Sequence, residues 1–98
     1  MAQVKYAARA WRDIDRIFEF YAAQDSELAA RVTSLVTDAV EILAEHPLIG
    51  RNAEQGLREL VISNGRTGFV ALYRYREDHE IIRILAIRHQ RESGVRWL

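Results

Sequence analysis

The run I-I-R-I-L-A-I-R-H-Q-R-E over residues 81–92 constrains the fold of this chain more than any other stretch. Between Ile81 and Ile87 every position is apolar except Arg83, and Arg88, His89, Gln90, Arg91 and Glu92 follow at once. An apolar run this short, rich in Ile and free of Gly and Pro, predicts a central strand covered on both faces. The polar cluster then leaves the end of a rigid element, where side chains are held well enough to act on something. The rest of the chain reads as what that strand needs for cover.

At the N-terminus, Val4 and Tyr6 alternate with Gln3 and Lys5, which predicts a short strand over residues 2–6. From Ala8 the spacing changes. Ala8, Trp11, Ile14, Phe18 and Tyr21 recur every three or four residues, as in a helix with one apolar face. Arg9, Arg12, Asp13, Arg16 and Glu19 fall mostly elsewhere without a strong ion-pair ladder, so packing is expected to hold this helix. Asp25 or Ser26 is placed to cap a second helix, with Glu27 at the positive end of its dipole. Leu28, Val32, Leu35, Val36, Ala39 and Leu43 carry that helix to about Glu45, and Pro47 stops it. So short a link predicts an antiparallel helical hairpin.

Pro47-Leu48-Ile49-Gly50-Arg51 leads into a polar loop through Gly56, after which the period is two. Residues 57–62, 69–76 and 80–89 read as three strands joined by links short enough for hairpins. The expected architecture is α+β. A helical hairpin over residues 8–45 packs on a small antiparallel β-sheet, mainly residues 57–89, with a short C-terminal tail in one domain of 98 residues.

Composition narrows the chemistry. The absence of cysteine excludes disulfides and a thiolate metal site. His46, His79 and His89 are far apart and show no ligand spacing, so neither a metal nor a cofactor is expected. Fourteen basic and fourteen acidic residues weigh against a protein that works mainly by gripping phosphates. The charge is uneven, however. Residues 1–62 hold 7 Lys+Arg and 10 Asp+Glu, net −3, and residues 63–98 hold 7 and 4, net +3. That division suits either a basic face for an acidic partner or two solvated faces. No signal-like segment opens the chain and no apolar run approaches ~18 residues, so a cytoplasmic protein without a membrane partner is expected.

Neither Gly50-Arg51 nor Gly65-Arg66-Thr67-Gly68 has the glycine offsets of a phosphate loop, and no serine sits in a nucleophile elbow. His89 is the best candidate for acid–base work, with Arg58, Arg74, Arg88 and Arg91 to stabilise a phosphate as in a metal-free ribonuclease. The plainer reading has His89 capping the strand end. Arg58 and Glu59 point to opposite faces of one strand, and Glu59 reads as the partner of an arginine. Tyr73 and Tyr75 share a face with Phe69 and Ala71, which reads as sheet-on-helix packing. Trp97 is either an interaction anchor or folded back on the domain.

Pro47-Leu48-Ile49-Gly50-Arg51, then Gly56-Leu57-Arg58-Glu59-Leu60-Val61-Ile62, then Leu72-Tyr73-Arg74-Tyr75 and Ile84-Leu85-Ala86-Ile87-Arg88-His89 form an ordered set. With the two amphipathic helices ahead of it, that set resembles the RelE/ParE superfamily of type II toxins over nearly the whole chain. The resemblance implies a compact α+β toxin held inactive by an antitoxin encoded beside it, whose C-terminal segment wraps the toxin as a helix and extended arm. RelE-like members cleave mRNA on the ribosome; ParE-like members poison DNA gyrase and have no known hydrolytic site. The ribonucleases tend to carry an arginine where this chain has Val70, and a tyrosine near the C-terminus. Here no tyrosine follows Tyr75 and the tail reads Gly94-Val95-Arg96-Trp97. The resemblance therefore favours a ParE-like inhibitor of DNA gyrase that arrests growth, is neutralised by a cognate antitoxin and has no catalytic residues. On that reading Arg74, Arg88, Arg91 and Trp97 contact the target or the antitoxin. One alternative is a RelE-like ribosome-dependent mRNA endoribonuclease using His89, Arg58, Arg74 and Arg88. Another is a degenerate homologue that binds antitoxin without toxicity. A homodimer through the helices and a toxin–antitoxin heterotetramer are both compatible with the sequence.

Overall fold

The apolar run lands in the interior of a five-stranded sheet. The computed structural model describes residues 1–64 and 67–90, backbone only at 63, 64 and 67. In chain order these form β1 (Gln3–Tyr6), α1 (Ala8–Ala22), α2 (Ser26–Glu41) with a 3-10 turn at Ile42–Ala44, and β2 (Arg51–Asn52). A 3-10 turn at Glu54–Gly56, β3 (Arg58–Asn64), β4 (Thr67–Arg76) and β5 (Ile81–His89) complete the order. The strands lie side by side as β1-β5-β4-β3-β2. Among the described strands β1 and β5 run parallel, and the other neighbours are antiparallel. The α+β expectation therefore stands with two additions. The sheet is mixed, and its far edge is a two-residue strand where the sequence suggested only loop.

A bulge explains why β5 does not alternate. Tyr73 pairs with Ile84 but Leu72 pairs with Ala86, so Leu85 is an extra residue opposite the Leu72/Tyr73 junction. One inserted residue reverses the side-chain parity beyond it. Ile82 and Ile84 before the bulge and Ile87 after it thus share the helix-covered face. There they join Ile62, Phe69, Ala71 and Tyr73 in packing against Ala10, Ile14 and Ile17 of α1, Val32, Val36 and Val40 of α2, and Leu43. The other face of the sheet carries Val70, Leu72 and Ala86, buried but outside that cluster.

The second helix starts as expected, with the Asp25 carboxylate accepting from Glu27 N–H at 2.9 Å. Its α-helical part closes at Glu41, and the tighter turn over Ile42–Ala44 carries Leu43 into the core. The first helix corrects the sequence reading. Its buried side is Ala10, Asp13, Ile14 and Ile17, whereas Trp11 is 50% and Phe18 39% exposed. The helix is rotated so that the two aromatics lie on a flank, Trp11 stacked on Tyr6 with ring centroids 4.4 Å apart. The charges are not idle either. Asp13 sits 3.2 Å from the Arg16 guanidinium and 3.9 Å from that of Arg9.

Candidate functional site

The end of β5, from which Arg88 and His89 project, is held by a carboxylate from α1. Beyond Tyr6 no β1 residue remains to pair with β5, and the Ile87 N–H donates to Asp13 Oδ2 at 2.8 Å in a buried setting. A charged acceptor makes this stronger than an ordinary backbone bond. Arg9 and Arg16 keep that acceptor's charge balanced from the solvent side. Asp13 thereby fixes the strand end before Arg88.

A second device holds the loop at Pro47-Leu48-Ile49-Gly50. The buried Tyr73 hydroxyl donates to Pro47 O at 2.7 Å and accepts from Gly50 N–H at 2.9 Å. Arg58 donates through Nη1 to Gly50 O at 2.8 Å and Leu48 O at 3.2 Å. Glycine is required at position 50, since a Cβ there would lie 2.5 Å from the Tyr73 hydroxyl and 2.9 Å from Glu59 O. Burial raises the Tyr73 pKa above 10, opposed by the Gly50 N–H and the Arg58 guanidinium. The result is a stiff loop that displays Leu48 and Ile49, 60% and 58% exposed.

These devices decide where the candidate residues stand. Arg58 is committed to the loop, on the helix-covered side of β3 opposite Tyr73. Glu59, on the other side, accepts from Arg51 Nε at 2.9 Å. His89 pairs with Phe69, its ring edge-on to that phenyl at 5.4 Å, again on the helix-covered side. Arg58 and His89 are four residues apart along β4 and two strands apart across it, so strand geometry separates their Cα positions by about 16 Å. Arg74 and Arg88 occupy the face away from the helices, opposite Arg83 and Val70 respectively. The set His89, Arg58, Arg74 and Arg88 is thus divided between two faces. Arg91 and Trp97 lie outside the described residues. Among the described residues no group of His, Asp and Glu is placed to hold a metal ion.

The sequence reading missed Asp13, which its helical position hid among surface charges, and Lys5 and Arg83, whose proximity depends on a parallel pairing. Lys5 pairs with Arg83 and Arg83 with Arg74, so three exposed cations form one row across β1, β5 and β4 on the face away from the helices.

Comparison with known proteins bears on the family and the fold. Residues 4–94 match the family model described as the ParE toxin of the type II toxin–antitoxin system parDE. The chain belongs to the ParE toxin family. It is a toxin of the type II toxin–antitoxin class within the wider RelE/ParE superfamily. Toxin RelE3 of Caulobacter vibrioides is 34% identical over 92 residues, covering 94% of this chain and 98% of the relative. A putative toxin, Y4kP of Sinorhizobium fredii, is 32% identical over 89 residues, covering 90% and 91%. Among solved structures, the chromosomal ParDE system from P. aeruginosa superposes with a TM-score of 0.73 at 27% identity, covering 89% of this chain and 94% of that one. The toxin–antitoxin complex RelBE of E. coli shares the fold at a TM-score of 0.62 and 9% identity, with the same coverage.

Proposed function

We propose that this ParE-family toxin blocks DNA gyrase without hydrolysing a nucleic acid, and that a cognate antitoxin neutralises it. The observation that carries this reading is the separation of the candidate ribonuclease groups. A phosphoryl-transfer site needs its acid, base and cations within hydrogen-bond reach of one phosphate. Here Arg58 is spent on a loop, His89 lies against Phe69, and Arg74 and Arg88 look the other way. Val70, where a phosphate-clamping arginine would stand in a RelE-like enzyme, is buried and apolar.

The antitoxin half of the proposal is supported by the solved relatives, which are toxin–antitoxin systems, and by apolar groups left exposed: Trp11 and Phe18 on the α1 flank, Leu48 and Ile49 on the stiff loop. An amphipathic segment laid on such groups is a known recognition mode. Action is expected in the cytoplasm; among the described residues no helix is long and apolar enough to cross a membrane.

The relatives named RelE keep the ribonuclease as the competing reading. Induction without antitoxin separates the two. The proposal expects a DNA-damage response with messages intact. Codon-positioned cuts in translated messages, lost in His89→Ala, would favour the ribonuclease instead.

A further inference from the structure

We propose that the row Lys5–Arg83–Arg74 is the docking site for an acidic segment of the cognate antitoxin. This rests on the antitoxin reading above and goes beyond it by naming where that partner's charge is met.

The row is costly to the free chain. Its three side chains are exposed, and each pair sits directly opposite across neighbouring strands. Like charges in that relation destabilise a sheet. Among the described residues none of the three has an ion pair or side-chain hydrogen bond. Nearby carboxylates are engaged elsewhere. Asp78 lies 3.6 Å from Arg76, Glu80 3.9 Å from the N-terminal amine, and Glu59 is bonded to Arg51. Folding alone gives no reason for the arrangement; a bound anion does.

Spacing and surroundings select the anion. Adjacent strands are about 4.8 Å apart, close to the spacing of carboxylates three or four residues apart on a helix. An acidic helix crossing the strands would therefore meet all three cations. A nucleic acid fits less well, because the β4–β5 turn at the end of the same strands carries Glu77, Asp78 and Glu80, all exposed. Those acids repel a long polyanion but leave room for a short acidic stretch. The antitoxin is the occupant assigned here because the row takes a short acidic stretch, and a partner bound to the free toxin would relieve the like-charge repulsion for as long as it stays bound. The row also stands apart from Arg88, which lies opposite Val70, four residues along β4 from Arg74.

The test is a titration of the protein encoded in the adjoining reading frame against the wild-type chain, the Arg74→Gln/Arg83→Gln double variant, Arg83→Lys, and Arg12→Gln on the exposed side of α1, each over a range of salt. The double variant should bind about tenfold more weakly with a shallower salt dependence. Arg83→Lys should retain wild-type affinity, and Arg12→Gln should change nothing. In urea the double variant should unfold at the wild-type midpoint or above it, whereas a structural role would lower the midpoint. Unchanged affinity and salt dependence in the double variant would overturn the proposal. So would a loss of binding confined to duplex DNA, which would make the row a nucleic-acid contact. Failure of the wild-type chain to bind its neighbour would instead refute the antitoxin reading, and this assignment with it.

Discussion

Among the described residues on the helix-covered side of the sheet, the polar groups that shape the site are partnered. Asp13 takes the Ile87 N–H, the Tyr73 hydroxyl joins Pro47 to Gly50, and Arg58 closes the same loop. On the face away from the helices Lys5, Arg83 and Arg74 are aligned against one another. The first face is arranged for stability and this row is not, although both are built on the same strands. Charge that a fold does not need is more informative about partners than charge that it uses. The sequence offers the same arginine in both settings, at 58 and at 74, and only the pairing tells them apart.

Substitutions on the two faces should therefore differ in size and in sign. The largest loss is expected from Phe69→Ala, which empties a fully buried position, at about 3–5 kcal/mol in urea unfolding. Asp13→Ala should cost about 1.5–3 kcal/mol, because it removes a charged acceptor and leaves a buried N–H. Amide exchange at Ile87 should rise in that variant. Tyr73→Phe keeps the ring but strands Pro47 O and Gly50 N–H, for about 1–3 kcal/mol. By contrast Arg83→Gln should stay within about 0.5 kcal/mol and tend toward greater stability. If it cost as much as Asp13→Ala, the division between the faces would fail.

Alkaline titration sharpens the same contrast. Burial, then the nearby Glu41 carboxylate, pushes the Tyr6 pKa up to about 12 from 10.0, and burial also raises Tyr73. A raised phenol pKa means the native state holds its proton more tightly than the unfolded chain. Stability from these groups is thus complete below pH 10 and falls as pH climbs toward 12. Tyr6→Phe should flatten part of that fall, measured as urea midpoint against pH. An unchanged slope would show that the phenol is not buried as described.

Much of the architecture was legible because it rests on local patterning. The helical spacings, the Asp25 cap, the strand over β5 and the packing role of Phe69, Ala71 and Tyr73 all follow from period and residue type. What escaped depends on contacts distant in sequence. Asp13 looks like a surface charge until Ile87, far along the chain, supplies the N–H it accepts. Lys5 and Arg83 become neighbours only through the parallel β1–β5 pairing, which no hairpin signal announces. The exposed flank of α1 is not legible from spacing, because Trp11 and Phe18 are the most conspicuous apolar residues there, yet smaller Ala10 and Ile17 fill the space over the sheet.

On the proposed function, this toxin stops a macromolecular machine by binding it. The direct measurement is supercoiling by purified gyrase in the presence of excess toxin, with and without the antitoxin. Inhibition accompanied by trapped cleaved DNA, relieved by antitoxin and retained in His89→Ala, is the expected result. Uninterrupted supercoiling at every toxin concentration would contradict it.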